Sequence, residues 1–156
     1  FGIFSHFEIL LAATYQGVGE RAVEVAAEHV ARRRSVKNQT TYSNDPDIRW
    51  RIAEAALIMN AVGPQIRELA RDIDAGVDRG RSWMPQLSAA KNAAAEATLR
   101  AVEQAMRACG GSAYYNTHEL SRLYRDALAG LFQPSDQESL HAAWANLILG
   151  PIEKPQ

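Results

Sequence analysis

The chain has 156 residues, enough for one domain with a real core, and its 47% hydrophobic and 22% charged content is that of a globular protein. Its 17 basic and 18 acidic side chains leave a formal charge of −1, so no general attraction draws it to nucleic acid or anionic lipid. The single cysteine, Cys109, excludes an internal disulfide and any multi-cysteine metal site, and no apolar run approaches the roughly 20 residues that cross a bilayer.

Helical periodicity dominates, and no segment alternates with period two. The start, Phe1-Gly2-Ile3-Phe4, carries neither an initiator Met nor a basic region, and it reads as a chain entered midway rather than as a signal peptide. A first helix is predicted over about residues 5–34, with Phe7, Leu11, Thr14, Val18, Ala22, Val25 and His29 as its inward stripe. Gly17 and Gly19 fall inside it and read as points of close helix contact, since each costs about 1 kcal/mol relative to Ala. A polar stretch, 35–44, leads to Asp45-Pro46, an N-cap acceptor followed by Pro at the first helical position. The second helix carries the clearest stripe, Ile48, Ile52, Ala55, Met59, Val62, Ile66, Leu69, Ile73 and Val77. Gly63-Pro64 interrupts it and predicts a kink.

A third helix is predicted from after Ser82 to about Cys109. Its many alanines suit a central position, where neighbouring helices approach closely, and Gly110-Gly111 stops it. Asn116 or Thr117 is the predicted cap of a fourth helix through Leu120, Leu123, Tyr124, Ala127, Leu128 and Leu131, ended by Pro134. Residues 135–138 read S-x-x-E, a capping box for a short last helix through Leu140, Trp144, Leu147 and Ile148. The expected architecture is one all-α domain over residues 1–156, an antiparallel four-helix-type bundle with an additional short C-terminal helix.

Residues 91–126 read K-N-A-A-A-E-A-T-L-R-A-V-E-Q-A-M-R-A-C-G-G-S-A-Y-Y-N-T-H-E-L-S-R-L-Y-R-D, and 17–35 read G-V-G-E-R-A-V-E-V-A-A-E-H-V-A-R-R-R-S. In order and spacing, Lys91, Gly110-Gly111 and Arg125-Asp126, with Gly17 and Arg33 upstream, resemble the C-terminal domain of the acyl-CoA dehydrogenase family. The resemblance covers nearly the whole chain. It implies a domain that packs in a dimer or tetramer. It also implies FAD held between this domain, a middle β-domain and a neighbouring subunit. Arg33 falls on the family's flavin-contacting Arg, and a guanidinium can fork onto a diphosphate. Ser35 stands where the family often has Thr, and Arg107 where it commonly has Gln. Gly110 and Gly111 would let backbone approach an adenosine moiety.

Other positions depart from the pattern. Val36 and Lys37 replace the family's Phe-Gly, and residues 38–47 do not match its following loop. Pro134 occupies the place of the usual catalytic Glu, so no catalytic residue is assigned; some members of the family place the base on an earlier helix, where Glu8, Glu20 and Glu24 are the weak alternatives. A second branch of the family, the flavin-dependent monooxygenases, dispenses with that Glu and often places a His where this chain has Gln133, the weak remaining candidate.

The leading reading is therefore the C-terminal domain of an FAD-dependent oxidoreductase of this superfamily. It would contribute to flavin binding, substrate cavity and oligomer interface. The complete protein is expected to be an enzyme, and this chain alone is expected to show no turnover and weak or no flavin binding. A two-component flavin-dependent monooxygenase, with FMN as the flavin, is the second reading, and a non-catalytic helical interaction module is the third. Expected partners are the protein's own N-terminal and middle domains and further copies of itself, with no nucleic acid and no membrane, in a cytoplasmic setting. No metal site is expected, because His6, His118 and His141 lack ligand spacing. His29 is expected to be a hydrogen-bonded core histidine, Cys109 a small buried filler, and Arg125-Asp126 a structural pair.

Overall fold

The computed structural model describes residues 2–153. Five α-helices follow one another: α1 (Gly2–Arg32), α2 (Pro46–Asp74), α3 (Trp83–Cys109), α4 (Glu119–Leu128) and α5 (Gln137–Leu149). Among the described residues the only β pairing is a single antiparallel bridge between Arg34 and Thr41. No helix there is long and apolar enough to cross a membrane.

α3 is the central rod. Ala90, Ala94, Ala95, Ala101 and Ala105 are all buried along it, and their small side chains let α1, α2 and α4 approach. α1 meets this surface with Ile9, Ala12, Tyr15, Gly19, Ala22, Ala26 and Val30. That face is rotated about one residue from the expected stripe, and Phe7 is 41% exposed. Bulk misplaced the stripe, because a surface of alanines is filled best by other small residues. Gly19 shows the fit. A Cβ there would overlap Met59 and lie 3.1 Å from Thr98 Oγ1, whose hydroxyl donates to the Tyr15 carbonyl at 2.6 Å. Gly17 has open space around it and is not a contact point, so only half of that expectation holds.

Asp45 caps α2 as its sequence position implies, Oδ1 accepting from the amides of Asp47 at 2.9 Å and Ile48 at 3.2 Å. α2 then continues through Gly63-Pro64 as one element. Two other caps differ from expectation. His118, rather than Asn116 or Thr117, caps α4, its Nδ1 accepting from the Leu120 amide at 3.2 Å. Asp136, rather than Ser135, caps α5, its Oδ1 accepting from the Ser139 amide at 2.9 Å.

Ser135 cannot serve as that cap because its backbone is committed elsewhere. Its amide donates to Glu8 Oε1 at 2.9 Å, and its carbonyl accepts from Lys91 Nζ at 3.1 Å and Asn92 Nδ2 at 2.9 Å. Lys91 Nζ also donates to the carbonyls of Gly130 at 2.9 Å and Gln133 at 2.7 Å. One ammonium, with its three protons, thus pins the 130–135 strap to α3 while Glu8 pins it to α1. Packing adds to the pin, since a Cβ on Gly130 would stand 2.7 Å from Ala95 Cβ.

Candidate functional site

The end of α1 and the turn after α3 come together, and the contact is built by one side chain. Arg33 lies just past the last turn of α1, and its Nη1 donates to the Cys109 carbonyl at 2.9 Å and to Ser112 Oγ at 3.1 Å. Its guanidinium carbon stands 4.9 Å from the centre of the Tyr42 ring, a cation–π contact. The α3 helix ends here because Gly110 adopts φ +73°, a conformation that suits glycine, and a 3-10 turn, Gly110–Tyr114, follows. Val25, His29, Arg32, Arg33, Ser112 and His118 are among the residues lining an open groove of about 630 Å³ at this junction. The volume is in the range of small-molecule sites.

Arg32 and Arg33 bring two cations to the groove, and Glu28 and Glu119 bring two carboxylates. Its two carboxylates are already paired, Glu28 with Arg32 at 3.1 Å and Glu119 with Arg21 at 3.0 Å. The Arg21 pair holds the Glu119 carboxyl below its usual range. Arg33 instead meets neutral oxygens and a ring, so its charge is available to a ligand. The cofactor-binding residues expected from sequence divide accordingly. Arg33 lines the groove, and Gly110 and Gly111 are exposed beside it with open space where a Cβ would be. Ser35 turns into its own loop, Oγ accepting from the Asn38 amide at 3.1 Å. Arg107 is exposed and paired with Glu103 one turn away. Neither is among the residues that line the groove.

Sequence spacing could not reveal a cluster that the fold makes in the same place. The ligand atoms of His29, Cys109 and His118 all lie within 4.8 Å of one another, although the three residues come from separate parts of the chain. Their hydrogen bonds weigh against a metal ion between them. The Leu120 amide can only donate, so it occupies the His118 Nδ1 lone pair. The neutral ring then carries its proton on Nε2, which faces His29 Nδ1 at 3.5 Å. His29 in turn carries its proton on Nε2, facing Ser112 Oγ at 3.5 Å. A metal on His118 Nε2 would demand an imidazolate or a broken helix cap. Burial pushes the Cys109 thiol up to about 11, with Arg33 opposing the shift only in part. At neutral pH it is a protonated filler.

The strap that carries Pro134 presents no carboxylate. Pro134 is exposed, while Glu8 is fully buried beneath, and burial pushes its carboxyl above the usual range against the pull of the Ser135 amide and Lys91. Glu8 Oε2 and Gln133 Oε1 are both buried without a hydrogen-bond partner. Glu20 accepts from Gln16 and Glu24 pairs with Arg21, both on the α1 surface.

The family model described as acyl-CoA dehydrogenase, C-terminal domain, matches residues 2–132. YdbM of Bacillus subtilis (strain 168), which carries an acyl-CoA dehydrogenase name, is 29% identical over 124 residues, 80% of this chain and 32% of its own length. Butyryl-CoA dehydrogenase from Megasphaera elsdenii superposes with a TM-score of 0.84 at 19% identity, over 93% of this chain and 36% of that one. XiaF from Streptomyces sp., solved in complex with FADH2 and glycerol, gives a TM-score of 0.82 at 17% identity, over 95% of this chain and 39% of that one. At such identities the structural likeness is one of fold. The chain spans about a third of the length of each of these relatives.

Proposed function

Because the chain belongs to the acyl-CoA dehydrogenase family, as its C-terminal domain, we propose that it supplies one wall of the FAD site in an oxidoreductase of that superfamily. The observation that carries this reading is Arg33, a cation joined to the Cys109–Ser112 turn at the edge of a groove with room for a diphosphate. Arg33 has further guanidinium nitrogens to fork onto phosphate oxygens, and the uncovered backbone of Gly110 and Gly111 lies alongside. FAD supplies the redox chemistry when bound, and this chain's part is to hold and orient it. Ser35 and Arg107 stand outside this groove, so the proposed diphosphate contact is assigned to Arg33.

Further copies and neighbouring domains are the proposed cover for surface that the bundle leaves open. Among the described residues α5 buries none of its side chains, and Phe132, Ile148 and Leu149 are 82%, 72% and 83% exposed. For chemistry, the absent carboxylate at Pro134 favours a second reading, a flavin-dependent monooxygenase using FMN, over simple α,β-dehydrogenation. A proline has no group that can remove an α-proton.

The two readings separate in a protein carrying this domain together with its flavin-completing domains. Purified, it is expected to retain flavin absorbance. If it is a dehydrogenase, an acyl-CoA bleaches the flavin without oxygen; if a monooxygenase, turnover needs a flavin reductase and oxygen. A colourless protein that takes up no flavin on titration defeats both.

A further inference from the structure

The His29–His118 pair is not used by anything above, yet it stands inside the groove beside Arg33. Its hydrogen bonds run in one direction: Leu120 amide to His118, His118 Nε2–H toward His29, His29 Nε2–H toward Ser112 Oγ, and the Ser112 hydroxyl to the Cys109 carbonyl at 3.2 Å. The Leu120 amide on His118 Nδ1 sets the tautomer of each ring along this chain of bonds. We propose that this pair is the proton-accepting part of the site, taking up one proton from solvent when the diphosphate of a dinucleotide enters the groove. The proposal rests on the flavin reading above and adds the residues that tie binding to pH.

The proton has one place to go. His29 Nδ1 is the only ring nitrogen in the pair whose lone pair faces another side chain rather than a backbone amide. Adding a proton there sets two N–H groups against each other across 3.5 Å, so the rings must part, which frees the His118 Nε2–H to turn toward the anion. The α4 cap on His118 Nδ1 is kept throughout. An empty groove opposes this step. Arg33 faces the rings from the end of α1, and Arg32 lines the same groove from α1. Glu28 on α1 is held by Arg32, and Glu119 on α4 by Arg21 and by Arg122 at 3.6 Å. From α3 comes the protonated thiol of Cys109, and Tyr42 lies under Arg33. No carboxylate is left over to balance an imidazolium, and burial, then His118, then Arg33 hold His29 below the ordinary histidine range. A diphosphate diester brings two negative charges and reverses that balance, so the second cation becomes favourable.

The test is titration of the flavin-stripped protein, this domain together with its flavin-completing domains, with FAD at about pH 7.5 and about pH 6, a window in which the diphosphate of FAD keeps its charge and histidine changes its own. Uptake of one proton can tighten binding by up to about tenfold per pH unit, and we expect roughly fivefold or more across this window. His29→Gln is expected to flatten the dependence to less than about twofold. His118→Asn, which keeps a side chain suited to an N-cap, leaves His29 Nδ1 in place and is expected to keep the pH dependence while α4 stays folded. In the wild type, the His29 ring resonance should titrate at higher pH with FAD than without it. Binding that is the same at both pH values, or a slope unchanged by His29→Gln, overturns the proton-linked pair and leaves the flavin reading standing. No binding at either pH takes down both.

Discussion

Replacing Lys91 by methionine is expected to destabilise the domain by roughly 3–5 kcal/mol, because it leaves three carbonyls without their donor and the buried Glu8 without its nearby cation. The side chain is fully buried and its three donors hold the carbonyls of Gly130, Gln133 and Ser135. Methionine fills similar volume, so the loss reports polar groups left unmet rather than a cavity. The pH dependence identifies the cause. Glu8 titrates higher in the fold than in the open chain, so its contribution is fully present below the ordinary carboxylate range and is lost as pH rises through the raised value. Lys91 moderates that rise, and without it the loss near neutral pH should grow. Urea unfolding at about pH 4.5 and about pH 7 should therefore show the smaller penalty for Lys91→Met in acid. Lys91→Met combined with Glu8→Gln should recover part of it near neutral pH. A penalty independent of pH would mean that Glu8 is not the group Lys91 balances.

Arg33→Ala is expected to weaken FAD binding by roughly 10- to 100-fold, the size of one or two charge-assisted hydrogen bonds to phosphate. Arg33→Lys should restore little, since an ammonium cannot fork onto two oxygens while also holding the Cys109–Ser112 turn. Arg107→Ala serves as the comparison, because Arg107 stands outside the groove with its charge met by Glu103, and FAD affinity should not change with it. Isothermal titration of the three variants separates a specific contact from a general loss of positive charge.

Residue order carried most of the architecture. Asp45-Pro46, Gly110 and the alanine-rich run from 83 to 109 each act through local chemistry, a cap, a positive φ and small size, and each stands where the sequence places it. The misplacements have a common origin in long-range contacts. Ser135 has the chemistry of an N-cap, but Glu8, more than a hundred residues away, claims its amide first. Phe7 and Leu11 outrank Ala12 and Gly19 in bulk, yet the flat surface of α3 accepts the smaller pair. At the site, the family resemblance singles out Arg33 and Gly110-Gly111, and the fold brings those two segments into contact. His29 with His118 was not legible, because 89 residues separate the rings and only the packing of α1 beside α4 joins them.

In the proposed function, the end of α1 and the turn after α3 act as one diphosphate-sized site. Backbone amide NMR of the chain during FAD titration tests it directly. Shifts should concentrate at residues 28–33 and 109–119, and Arg33→Ala should remove them while the rest of the spectrum stays dispersed. Shifts confined to another surface, such as α5 or the α2–α3 turn, or shifts at 109–119 that survive Arg33→Ala, would contradict it.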